Sequence, residues 1–257
     1  MLGSRFAIAG AYFLIATSLA CAADSDRSLQ ARLSSDRLGH LEPGTYQAGE
    51  KTEFELGAAG SSYLLRCNGS PEVFVLTPDS APMGGRVLRY DSGETALHVS
   101  GWGGVTFYTD ADPEGLPAVR TGAVAVLPKP EVSMEDIRGA AGDLADAIER
   151  THRIDLVFSI DWSSVPDTSL ARAGALDAME NIARGIERLG RSLRSRQILA
   201  HRISEVLIAR GGTPAVKLSG KVLLITFNPE TGYEGRASSR AIASALGTLL
   251  GAAQKQS

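Results

Sequence analysis

The sequence predicts an α+β protein. An N-terminal antiparallel β meander, closing into a small barrel or sandwich, precedes a helix-rich α/β segment with a small, mostly antiparallel sheet. Three observations carry this. From Lys51 to Pro130 apolar residues alternate in short runs broken by Gly, Asp and Pro. After Pro130 the apolar spacing becomes three and four. The 257 residues are 44% hydrophobic and 21% charged, which is the composition of a chain that buries a core. The boundaries that follow are a signal peptide over 1–22, a polar leader over 23–50, an all-β domain over 51–130 and an α+β domain over 131–257.

The first element is an address. One cation, Arg5, precedes the uncharged run Phe6–Ala20, which is shorter than the roughly 20 apolar residues of a spanning helix. Ala20-Cys21-Ala22 supplies small residues for cleavage, and Asp24 and Asp26 follow. Cleavage after Ala22 discards Cys21 and leaves a periplasmic or secreted protein with no transmembrane segment. Lipid anchoring through Cys21 is the alternative, although Ser18 stands where that processing prefers an aliphatic residue. An uncleaved membrane helix, or no export at all, is the third outcome. With Cys21 removed or lipidated, Cys67 has no disulfide partner within the chain and reads as a small apolar filler; its neighbour Arg66 also allows a reactive thiol. The net charge of −3 gives no basic footprint for nucleic acid.

In the leader, Leu29–Leu38 allows a short helix, and Pro43-Gly44 makes a turn. Six or seven strands follow. They are Thr52–Leu56, Ser62–Arg66, Glu72–Leu76, Arg86–Tyr90, Thr95–Val99, Val105–Thr109 and a last one over Ala123–Leu127 closed by Pro128 and Pro130. Ser133 and Asp136 form a capping box for a helix ending near Thr151. The apolar run Ile154–Ile160 is a covered strand. A long helix starts at Pro166-Asp167, with Gly190 as an interruption. A further helix spans about Gln197–Ala209 and stops at Gly211-Gly212. Ala215–Leu218 and Val222–Phe227 make a hairpin through Ser219-Gly220, and a final helix covers Ser238–Gly251.

Several of these stretches, SPEVFVL, GGVTFYTDADPEGLPAVRTG, DLVFSIDWSSVP, ALDAMENIARGIERL and ITFNPETGYEGRASSRAIASAL, resemble a family of exported bacterial proteins described only as a domain of unknown function. The likeness spans most of residues 50–250. It implies export and a β-rich segment followed by an α/β segment. It implies no activity and no site residues.

The residues themselves offer no standard catalytic motif: no HExxH, no CxxC, no GxSxG and no Walker loop. No cofactor is predicted. The best candidate site is the entry to the last helix, where Arg236 and Arg240 flank Ser238 and Ser239. Free backbone N–H groups and two guanidinium groups suit an anion. The competing reading pairs Arg236 inside the protein, with Glu180 or Asp161. Asp110, Asp112 and Glu114 alternate ahead of Gly115 like the opening of a calcium loop, but Thr121 stands where the closing acid belongs. Such residues also simply build turns. His201 and Glu205 stand four apart, as on one helix face. Six arginines and one glutamate fall between Arg184 and Arg202, and eight acids with three arginines between Glu131 and Asp161. Opposite signs of this kind suggest facing surfaces.

Two functions fit. The first is an exported cell-envelope module, non-catalytic, that binds an anionic envelope component or another envelope protein. The alternative is an envelope hydrolase with a dispersed acid/base site drawn from His152, Asp155, Asp161 and Arg236, or a triad using Ser163 or Ser164.

Overall fold

The computed structural model describes residues 41–123 and 131–254, with side chains to Gly251. The signal peptide, the Leu29–Leu38 helix, the Pro128–Pro130 boundary and all but the first residue of the Ala123–Leu127 strand lie outside the described residues.

Eight antiparallel strands close into a barrel: β1 Gly44–Ala48, β2 Thr52–Ala59, β3 Ser62–Cys67, β4 Val73–Ala81, β5 Gly85–Arg89, β6 Thr95–Val99, β7 Val105–Phe107 and β8 Leu116–Gly122. Each pairs with its neighbour in sequence, and β1 pairs with β8 to complete the ring. The period-two pattern explains the interior. In β1 residues alternate between buried and half-buried, and Tyr46, Phe54, Leu56, Leu65, Leu76, Leu88, Leu97 and Phe107 fill the centre. Phe54 lies between Tyr46 and Phe107, with ring centroids at 5.2 and 4.5 Å.

Two of these strands were not expected. β1 lies within the stretch read as leader, and β8 occupies Leu116–Gly122, where no strand was expected. Closure supplies both. Tyr46 and Ala48, both buried, stand opposite Arg120 and Ala118 in the closing pair.

The second layer holds helices α1 Met134–His152, α2 Ser169–Leu189, α3 Leu193–Arg202 and α4 Ser239–Gln254, with strands β9 Val157–Ile160, β10 Glu205–Arg210, β11 Ala215–Ser219 and β12 Val222–Phe227. The expected capping box is present. Asp136 N–H donates to Ser133 Oγ at 3.1 Å, and Ser133 N–H to Asp136 Oδ2 at 2.8 Å. Thr168 and Ser192 cap α2 and α3 without the reciprocal bond, their side chains accepting from Ala171 and Ser195 N–H.

The sheet, in the order β11-β12-β10-β9, is mixed rather than mostly antiparallel. β10 pairs parallel with both β9 and β12, and only β11 runs antiparallel to its neighbour. The reason is the crossover through α2 and α3, which returns the chain to the same end of the sheet before β10. The expected Gln197–Ala209 helix is corrected for the same reason. Its second half is β10, where Val206 and Ile208 are fully buried in a central strand. His201 and Glu205 therefore share no helix face; Glu205 accepts instead from Ser159 Oγ on β9 at 2.7 Å.

Helices α2 and α4 pack closely. A Cβ at Gly185 would come within 2.7 Å of Ile242 Cγ2, so glycine sets their separation. Among the described residues no helix is long and apolar enough to cross a membrane.

Candidate functional site

Successive hairpin turns of the barrel alternate between its two ends. The loops β3–β4, β5–β6 and β7–β8 share one end, and they carry Glu72, Asp91 with Glu94, and Asp110. The start of α4 lies against these four carboxylates.

Ser238 caps α4, accepting from Ala241 N–H at 3.2 Å. Its own N–H and hydroxyl both donate to Asp91, at 2.7 and 2.5 Å. Ser239 repeats the pattern on Glu72, N–H at 2.8 Å and hydroxyl at 2.7 Å. Glu72 is 2% exposed and Ser239 is fully buried. The free N–H groups and positive end of the helix dipole are thus matched by anions. The expected anion at this helix start is supplied by the chain itself.

Both guanidinium groups are held in the same way. Arg236 lies against Asp177 of α2 through Nε and donates to the Val73 carbonyl at 3.1 Å. Burial pushes its pKa down to about 10, with Glu72 and Asp91 opposing the fall, so it keeps its charge at neutral pH. Arg240 donates to Glu94 at 2.6 Å and to Asp110 at 2.5 Å, and lies 4.3 Å over the Tyr90 ring. Arg188 of α2 bonds Asp110 and donates to Ser239 Oγ at 2.9 Å. Arg188 and Arg191 of the arginine-rich stretch therefore face the barrel's turns through Asp110.

Arg236 takes neither of its expected internal partners. Glu180 bonds Arg184 at 2.7 Å, and Asp161 accepts from Ser163. The sequence reading missed Glu72, Asp91, Glu94 and Asp177, which look like ordinary turn or helix acids.

Asp110, Asp112 and Glu114 do not form a calcium loop. Asp110 turns to Arg188 and Arg240, Asp112 accepts from Thr109 at 3.3 Å, and Glu114 is exposed. Among the described residues no group of three or more His, Cys, Asp or Glu could hold a metal. Burial raises the Asp110 pKa, but Arg240 and Arg188 outweigh it and hold the carboxyl below its ordinary value. A lowered folded-state pKa contributes stability that is present above the unfolded value of about 3.9 and lost as pH falls through the folded value. Urea midpoints should therefore drop in acid, and Asp110→Asn should make that drop smaller. An identical acid response in the variant would remove Asp110 from the account.

The residues named for a dispersed hydrolase site are not assembled. Both His152 ring nitrogens are buried without a hydrogen-bond partner. Asp155 is exposed, and Asp161 accepts from Ser163 N–H and hydroxyl at 3.1 and 2.5 Å. No hydrogen bond or ion pair joins these groups to Arg236 among the described residues. Burial raises the Cys67 thiol, with Arg240 opposing, which favours the apolar-filler reading over a reactive thiol.

Beside the seam runs an open cleft of about 620 Å3. Ser62, Val75 and Thr77 of the barrel form one wall. Pro214–Val216 and the small face Ala241 and Ala245 of α4 form the other, with Asp91, Arg236 and Ser238 at the join. β11 is the outer strand of its sheet, and its outward edge takes no backbone hydrogen bond among the described residues. A smaller hollow of about 300 Å3 lies on the barrel over Glu55 and Arg66, which are paired at 2.6 Å.

No curated protein and no solved structure matches the chain. A family profile does match, over residues 26–246, and the chain belongs to that family, described as "Domain of unknown function (DUF4908)".

Proposed function

We propose that the protein is an exported, non-catalytic module of the cell envelope that binds an extended segment of another envelope protein in the cleft between barrel and sheet. One observation carries this reading: a cleft of about 620 Å3 whose wall includes the start of β11, the edge strand that pairs with β12 on one side only among the described residues. An edge strand offers backbone donors and acceptors to a further strand. Most side chains around it are small and mixed in polarity, Asp91 and Arg236 are engaged within the chain, and Glu234 is the exposed charge on its lining, so the cleft admits a polypeptide. An anionic ligand is disfavoured, because Arg236 and Arg240 already face Asp177, Glu94 and Asp110. Export rests on the Phe6–Ala22 pattern.

The test places a photo-crosslinking amino acid at exposed Thr77 in the full chain, with exposed Val119 as control. Val119 lies on β8, four strands round the barrel from β4. Adducts with envelope proteins at position 77 and none at 119 are expected. The intact mass of the same envelope preparation should start at Ala23. No adduct at 77, or equal adducts at both positions, overturns the binding site. A cytosolic chain retaining Met1 overturns the export.

A further inference from the structure

The end of the barrel away from α4 has the opposite chemistry. It carries the turns β2–β3, β4–β5 and β6–β7. Their residues, 57–62, 80–85 and 99–106, include no charged side chain. Two of the turns each lift one large apolar group into solvent: Met83 is 92% exposed and Trp102 is 87% exposed.

The two tips are built together. A Cβ at Gly101 would lie 2.3 Å from the Met83 carbonyl oxygen, so the β6–β7 turn rests on the backbone of the β4–β5 turn. Met83 has φ 57° and ψ 36°, a left-handed conformation that costs a non-glycine residue about 1 to 2 kcal/mol. A strained methionine and a tryptophan between glycines, both in water, gain nothing from the folded chain. Arg86, three residues past Met83, is exposed, and its side chain takes no hydrogen bond or ion pair among the described residues.

We infer that this rim docks on an anionic lipid surface, with Trp102 and Met83 entering the headgroup region and Arg86 facing lipid phosphates. Size separates a bilayer from a protein partner. A stable protein interface takes about 800 Å2 from each side, while an aromatic side chain supplies about 150 to 250 Å2. Two tips fall short of the first requirement and meet the needs of shallow insertion. Tryptophan suits the boundary between headgroup and acyl chain. The three turns hold no carboxylate to desolvate, and the two acids that flank this end, Glu42 and Asp79, are already paired with Arg120 and Arg89, so the free Arg86 adds attraction for acidic headgroups. This docking is independent of the cleft and uses none of its residues.

The test is flotation of the mature chain with vesicles of phosphatidylcholine, with and without phosphatidylglycerol. The chain has two tryptophans, so a Trp162→Phe background makes fluorescence report Trp102 alone. Co-flotation with the anionic vesicles and a blue shift of Trp102 are expected. Trp102→Ser should weaken partitioning about tenfold or more, the loss of one large buried apolar group. Arg86→Gln should weaken it about fivefold on anionic vesicles only. Both variants are at exposed positions and should keep the parent urea midpoint. Absence of flotation overturns the proposal, as does a Trp102→Ser variant that floats like the parent. Trp102-dependent self-association without vesicle binding, seen by light scattering, overturns it in favour of a second copy of this chain.

Discussion

Replacing Arg236 by alanine should lower the unfolding free energy by about 3 kcal/mol, read as a fall in the urea midpoint. The guanidinium side chain is 3% exposed, and its removal leaves Asp177 facing the seam without its cation. The lower end of the range for broken buried pairs applies, because Asp177 keeps 26% of its side chain in solvent. The Val73 carbonyl also loses its donor. The partner experiment is a double change, Arg236→Met with Asp177→Leu. Removing both charges should recover most of the loss, since an apolar pair of similar volume needs no counterion. If Arg236→Ala unfolds like the parent, Arg236 does not hold the seam.

Glu72→Ala should cost about 2 to 3 kcal/mol, by a different route. It removes no ion pair. It strips the acceptor from the Ser239 N–H and hydroxyl, both in a buried position at the positive end of α4. Hydrogen exchange separates this from a general loss of stability: amides in the first turn of α4 should exchange faster than those of β10. Glu72→Gln keeps one carbonyl oxygen for the N–H and should lose less than half as much. Equal exchange in the first turn of α4 for parent and alanine variant would show that the cap is indifferent to Glu72.

Much of the fold was legible in the sequence because it is local. β6 was expected at its observed bounds, and α1 was announced by Ser133 and Asp136. The misreadings are places where a distant partner decides. β8 contains Pro117, which lacks a ladder donor, and two of its residues flank a chain closure that no local period reveals. Ile203, just before β10, and Val206 and Leu207 within it fit helical spacing equally well, and only pairing on both sides makes Glu205–Arg210 a strand. The candidate site divides in the same way. Free N–H groups and flanking arginines at the α4 start were readable. Their counterions were not, because Asp91 and Glu72 stand 147 and 167 positions earlier. Nothing local distinguishes them from Glu53 or the exposed Glu114. The cleft and the rim both depend on how hairpins stack, which is a property of closure rather than of any one strand.

The seam between barrel and α4 also limits how the gene can be divided. A helix needs its cap, and here the acceptors of that cap are synthesised in the other half of the chain. Severing residues 124–130 would separate pieces that look autonomous on a topology diagram while leaving the downstream one with a bare helix start and a stranded guanidinium.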